Sequence, residues 1–226
     1  MLVIFDLDDT LVDTSLSILP VKLERALIKA QEAGLKLNFS LTEALKKLLE
    51  IDQKTASARE TLKFFFEKFN LPLEPYLKLA EQMVYEGDLD QIKILPVPNA
   101  LLMLKALKQN HSLALVTVGK ERWQREKLEK AGIDFSIFSK IEVVENTKES
   151  KKSSYLRICA DLGFESSDVL VIGDKVEVDL KPAKALGLKT VLMLRGRGKN
   201  QRDFEGVDFK ISSLLELKKI IKNKDE

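Results

Sequence analysis

Leu2-Val3-Ile4-Phe5-Asp6-Leu7-Asp8-Asp9-Thr10 opens the chain and decides its fold. Four consecutive apolar residues bounded by polar ones suit a strand buried on both faces, as parallel strands flanked by helices are. The strand runs straight into carboxylates at Asp6 and Asp8, which in extended geometry share a face. In doubly wound sheets ligands bind beyond the carboxyl ends of the strands, so both side chains are expected in that crevice. Two carboxylates held there repel unless a cation joins them. Taken alone, the segment also reads as a polar turn closing a strand.

The same apolar signal recurs at Ser112–Val118, Val169–Ile172 and Thr190–Leu194. Helical spacing of apolar residues predicts helices over Ala100–Lys108, Glu121–Ala131 and Tyr155–Leu162, the last two stopped by Gly132 and Gly163. Strands alternating with helices imply an α/β fold with a doubly wound parallel sheet. From Ser15 to Asn99 the alternation breaks and the pattern is helical only, with helices expected at Ile18–Ala33, Leu41–Ile51, Thr55–Phe69 and Leu73–Glu86. The expected organisation is therefore a core of residues 1–14 and 98–226 with an inserted helical subdomain, 15–97. Pro96 and Pro98 punctuate the return to the sheet. Ser213–Lys222 reads as a last amphipathic helix, followed by fraying at Asn223–Glu226.

With 226 residues, 45% of them hydrophobic, the chain can build one large domain or a core with a smaller insert. Lys and Arg number 37 against 35 acidic residues, a net charge of +2, so no global field calls for nucleic acid or an anionic membrane. The single Cys159 excludes an internal disulfide and a multi-cysteine zinc site. No apolar run has the length of a signal peptide's core or a membrane span. These features suggest a cytoplasmic protein, monomer or homodimer, with neither nucleic acid nor membrane as partner.

A second carboxylate group follows the strand Val169–Ile172: Gly173-Asp174, then Glu177 and Asp179. Several carboxylates converging from two strand ends, without His or Cys, form a hard-oxygen site of the kind that prefers Mg²⁺. Asp174 alone could be a helix N-cap, but that does not explain its pairing with Asp6 and Asp8. Thr117 ends a third strand, and the turn Val118-Gly119-Lys120 leads into a helix; a hydroxyl and free backbone N–H groups there would cradle phosphate. A cation is required beside an attacking carboxylate and a phosphate dianion. Lys148, Lys151 and Lys152 precede the helix at Tyr155–Leu162.

These four ordered motifs resemble those of the haloacid dehalogenase superfamily, over nearly the whole chain. Asp6-Leu-Asp8-Asp9-Thr10-Leu-Val is similar to its first motif, Thr117 to the second, a lysine to the third, and Gly173-Asp174 through Asp179 to the fourth. The third motif usually reads Lys-Pro, and here Ser150-Lys151-Lys152-Ser153 has no proline. Spacing to Leu162-Gly163 favours Lys151, ahead of Lys152 and then Lys148. The resemblance implies a Rossmann-like core with a helical cap, and a phosphatase acting on a small phosphorylated metabolite. Asp6 would be the nucleophile and Asp8 the general acid and base. Mg²⁺ would sit on Asp6, the Asp8 backbone carbonyl and Asp174. Thr117, Val118 and Lys151 would hold the phosphoryl group, with Thr10 and Asp179 supporting and Glu177 unplaced. A dehalogenase needs no acid at position 8, which favours phosphate chemistry. A phosphomutase of the same fold and a non-catalytic binding protein are the alternatives.

Elsewhere the plain readings prevail. Arg195-Gly-Arg197-Gly-Lys199-Asn-Gln-Arg202 reads as a solvated loop, His111 as surface, and Cys159 as a small buried hydrophobe. Trp123, Phe64, Phe65, Phe66 and Phe69 read as packing residues. A hinge is expected near Asp13–Ser15 and Pro96–Asn99.

Overall fold

In the computed structural model, which describes residues 1–144 and 151–222, the opening apolar run is strand β1 (Leu2–Phe5), buried along its length. It lies inside a six-stranded sheet with β2 (Ser112–Val118), β3 (Lys140–Val144), β4 (Val169–Gly173), β5 (Lys189–Met193) and β6 (Phe209–Ile211). The order is β3-β2-β1-β4-β5-β6 and every pair is parallel. Such neighbours can be joined only by crossovers, and that is why helices alternate with strands along the sequence.

β3 and β6 carry no continuous apolar run, and the sequence pattern does not announce them. They are the two edges, so one side of each lacks a partner strand. β3 is half-buried for most of its length, and Lys140 and Glu142 pair with Asp161 (2.8 Å) and Arg157 (2.8 Å). β6 has three residues, two of them exposed.

From β1 the chain leaves through the short α1 (Thr14–Ser17) into α2 (Leu19–Glu32), α3 (Leu41–Asp52), α4 (Ala58–Lys68) and α5 (Tyr76–Glu86). Contacts divide the chain into two units, Met1–Thr14 with Ile94–Glu226, and Ser15–Lys93. The helical unit has its own core, built from Leu23, Leu27, Leu48, Leu62, Phe65 and Phe66. Phe69 packs at its margin, whereas Phe64 faces out, 48% exposed. Ser40 and Ser57 cap α3 and α4 by accepting from the backbone N–H groups of Glu43 and Glu60 (both 3.2 Å). The Ser57 cap explains why α4 starts at Ala58 and not at Thr55. Thr55 instead joins Thr61 in a buried polar cluster, in which Thr61 donates to Asp52 (2.8 Å). Residues 95–97, expected in the insert, pair with the first loop: Asp13 N–H donates to Leu95 O (2.9 Å) and Val97 N–H to Leu11 O (2.8 Å).

The return leads through α6 (Ala100–Leu107), α7 (Glu121–Lys130), α8 (Lys152–Leu162) and α9 (Lys181–Lys184) to α10 (Leu217–Lys222). Residues 223–226, where fraying is expected, lie outside the described residues. Leu2 and Ile4 share one sheet face with Ala114, Val116, Val169 and Val171, against Tyr155 and Ile158 of α8. Continuing the period of two, Asp6 points to this same side, where Lys151 precedes α8.

Arg195 is no freely solvated side chain: its guanidinium pairs with Asp13, and the side chains are 22% and 7% exposed. The segment that follows is a 3₁₀ turn, Gly196–Asn200, lying against the carboxyl ends of β4 and β5. A Cβ on Gly198 would stand 2.5 Å from Met193 O and 2.7 Å from Asp174 O, so only glycine lets the turn lie there. His111 and Cys159 are both half-buried, Cys159 at the margin of the core. Among the described residues no helix is long and apolar enough to cross a membrane.

Candidate active site

β1 and β4 are neighbours in register, Phe5 opposite Ile172, and Asp6 N–H donates to Ile172 O (2.9 Å). Their carboxyl ends therefore deliver Asp6 and Asp174 to one place. Carboxylate oxygens of Asp6, Asp174 and Asp179 all lie within 4.8 Å of one another, and all three residues are buried. Asp179 reaches back through a π-helical turn, Val176–Leu180, that follows β4.

Lys151 is the cation of this cluster. Its ammonium spends its three donors on Asp6 Oδ1 (2.5 Å), Asp179 Oδ1 (2.7 Å) and Val116 O (2.8 Å), and the side chain is 1% exposed. Lys152 is exposed, and Lys148 lies outside the described residues. Burial pulls the Lys151 ammonium down, but the carboxylates of Asp179 and Asp6 outweigh it and hold the group well above its ordinary value.

Asp179 accepts from Lys151 on one oxygen and from Lys175 N–H on the other (3.0 Å), which suits it to holding the lysine. Asp174 differs: both of its oxygens are buried and have no hydrogen-bond partner among the described residues. Unpaired buried carboxylate oxygens beside two further carboxylates are the donor set of a hard divalent cation. Burial, ahead of any neighbour, lifts the Asp174 carboxyl well above the usual range. It also lifts Asp6 from 3.8 to about 6, against the opposing charge of Lys151.

Asp8 sits in other company. Lys127 of α7 places its ammonium 2.7 Å from Oδ1 and 3.0 Å from Oδ2, and the Thr14 hydroxyl donates to Oδ1. Burial alone would raise this carboxyl, but the charge and hydrogen bond of Lys127, with Thr14, bring it down to about 2.

Thr117 is buried at the end of β2, its hydroxyl accepting from Gln124 Nε2 (3.1 Å). The same nitrogen donates to Val118 O (2.5 Å). The turn offers fewer free N–H groups than expected, since Gly119 donates to Val144 O (3.0 Å). Gly119 has φ +149°, and a Cβ there would meet Gln124 Nε2 at 2.7 Å. Thr10 is fully buried, and its hydroxyl finds no hydrogen-bond partner among the described residues. Glu177 is out of the site: it faces solvent and pairs with Lys181 (2.6 Å).

Sequence reasoning missed three residues here, Gln124, Lys127 and Lys175. Lys175 is half-buried, and Asp174, first among several carboxylates around it, raises its ammonium. Gln124 alone left a trace, because it takes the core-facing position four residues before Leu128 on a helix otherwise dominated by charge.

The two shifted carboxyls move stability in opposite directions. Asp6 binds its proton more tightly folded than unfolded, so metal-free protein should lose stability as pH rises from about 4 to about 6. Asp8 contributes stability that is present above 3.8 and lost as pH falls toward about 2. Thermal melts in EDTA should therefore show the melting temperature falling between pH 4 and 6, with a flatter profile in Asp6→Asn. An unchanged slope in that variant would contradict the assignment.

A doubly wound parallel core that gathers buried carboxylates and a buried lysine at its strand ends defines an α/β protein with a charged site at the carboxyl edge of its sheet. The chain belongs to the haloacid dehalogenase-like hydrolase family, which it matches over residues 3–193. It is 29% identical over 228 residues to a glyceraldehyde 3-phosphate phosphatase of Methanocaldococcus jannaschii, covering 98% of this chain and 96% of the relative. Among solved structures it resembles a HAD phosphatase from Thermococcus onnurineus (25% identity, TM-score 0.63, 97% and 96% of the two chains). The fold is also shared with the HAD-hydrolase YfnB of Bacillus subtilis, solved bound to magnesium (21% identity, TM-score 0.67, 97% of each chain).

Proposed function

We propose that this chain is a Mg²⁺-dependent phosphomonoester hydrolase that works through an aspartyl phosphate on Asp6. The observation that carries the reading is the buried Asp6, gripped by Lys151 on Oδ1, beside an Asp174 whose two oxygens have no hydrogen-bond partner among the described residues. Asp6, Asp174 and the Asp8 backbone carbonyl would hold the metal, which when bound neutralises charge on the phosphoryl oxygens.

Asp6 attacks phosphorus, the bond to the ester oxygen breaks, and the leaving alkoxide takes a proton from Asp8. Water then attacks the same phosphorus and gives its proton to Asp8, the Asp6–phosphorus bond breaks, and orthophosphate leaves. Paired with Lys127 and Thr14, Asp8 is a carboxylate at neutral pH. It therefore takes up a proton from solvent as the substrate binds, because the substrate's negative charge beside Asp8 offsets the positive charge of Lys127. Thr117 and Lys151 are assigned to the phosphoryl oxygens. The helical unit is assigned the family's cap role, the choice of substrate, which the fold alone does not specify. A cytoplasmic small-molecule enzyme suits the near-neutral charge.

The M. jannaschii relative makes glyceraldehyde 3-phosphate the first substrate to try, within a set of small phosphomonoesters. Release of orthophosphate that requires Mg²⁺ and stops in EDTA is the expected outcome. Release insensitive to EDTA would reject the proposal, and conversion to an isomeric sugar phosphate without orthophosphate would make the chain a mutase.

A further inference from the structure

We propose that Lys127 is a positioning residue for Asp8 in this reaction, and that Gln124 ties the pair to the Thr117 turn. The proposal rests on the reading of Asp8 as the proton-transfer group.

The helix α7 carries several cations, and most are spent on its own surface. Arg125 pairs with Glu121 and Lys130 with Glu126, both one turn away. Lys127 instead turns inward and crosses 119 positions of sequence to Asp8, with side chains only 14% and 23% exposed. It meets both carboxylate oxygens, at 2.7 and 3.0 Å, so the contact fixes the plane of the carboxylate as well as its distance. An exposed ion pair is worth little, but one this sheltered holds its geometry.

Gln124 lies three residues earlier on the same face of α7, 3% exposed. Its Nε2 lies between Val118 O (2.5 Å), Thr117 Oγ1 (3.1 Å) and, more distantly, Asp8 Oδ2 (3.4 Å). One turn of helix thus connects the proposed phosphoryl-binding hydroxyl with the proposed proton-transfer carboxylate. Thr14 supplies the remaining support on Oδ1. Proton transfer needs its heavy atoms within hydrogen-bond reach of each other, so loosening Asp8 should slow proton delivery to the leaving oxygen more than attack by Asp6.

That difference can be measured with two esters. A p-nitrophenolate leaves without a proton, whereas the alkoxide of glycerol phosphate does not. Lys127→Met should lower kcat/KM, which reports only the steps up to loss of the leaving group, at least about ten-fold more on glycerol phosphate than on p-nitrophenyl phosphate, within the range general acid–base catalysis contributes. Lys127→Arg should recover most of the difference, which a purely structural role would not produce. Added to Asp8→Asn, Lys127→Met should cost nothing further, since it acts through Asp8. Equal losses on both esters, or a further loss in the Asp8→Asn background, would overturn the proposal. If Asp8→Asn itself shows no preference between the esters, the proton-transfer role of Asp8 fails first. If Asp8→Asn shows the preference and Lys127→Met does not, the fault lies with Lys127 alone.

Discussion

Asp6→Asn is expected to fold and to lose phosphatase turnover by about 10⁴-fold or more, the scale on which removal of a covalent nucleophile acts. The fold should survive because the amide oxygen still accepts from Lys151, and Asp179 and Val116 O keep the other two donors of that lysine satisfied. A buried carboxylate that is costly to ionise is also removed, which relieves some of the desolvation that raises Asp6 to about 6. What disappears is the nucleophilic oxygen. Turnover within a few-fold of wild type would show that Asp6 is a ligand or a support and not the attacking group.

Lys151→Met should damage both stability and catalysis. Its ammonium is 1% exposed and sits between two buried carboxylates, so its removal leaves Asp6 and Asp179 facing each other without a counter-charge. Breaking a buried pair from one side typically costs about 3–5 kcal/mol. Chemical denaturation at pH 7 should show a loss of that size, with turnover on any ester reduced at least about 10²-fold as a charge-stabilising donor is lost. A neighbouring control, Lys152→Met, removes an exposed side chain and should leave stability almost unchanged. Equal effects of the two variants would mean that Lys151 does not hold the cluster together.

The core was legible where burial on both faces forces an uninterrupted apolar run. β1, β2, β4 and β5 announce themselves in that way, and the edge strands β3 and β6 do not, because one side of each lacks a partner and tolerates Lys and Glu. Asp6 and Asp174 were legible because a strand that ends in a carboxylate is costly unless something binds there, and Asp179 because it follows Asp174 closely in the turn after β4. The choice of Lys151 rested on spacing, and the structure gives it a physical basis in three hydrogen bonds from one ammonium. Lys127 was not legible. On an amphipathic helix a lysine that reaches inward has the same spacing as one that reaches out, and only the crossing of α7 over the first loop separates them. Arg195 was missed for a related reason, since a glycine-rich basic loop reads as solvated until its partner, Asp13, is found 182 positions earlier in the sequence.

The most direct test of the central claim is to quench wild-type enzyme in acid during turnover of a ³²P-labelled monoester with Mg²⁺, then map the label by peptide. Label is expected on the peptide containing Asp6, absent when EDTA is present and absent from Asp6→Asn. Label on any other residue, or label that persists in Asp6→Asn, would contradict the claim.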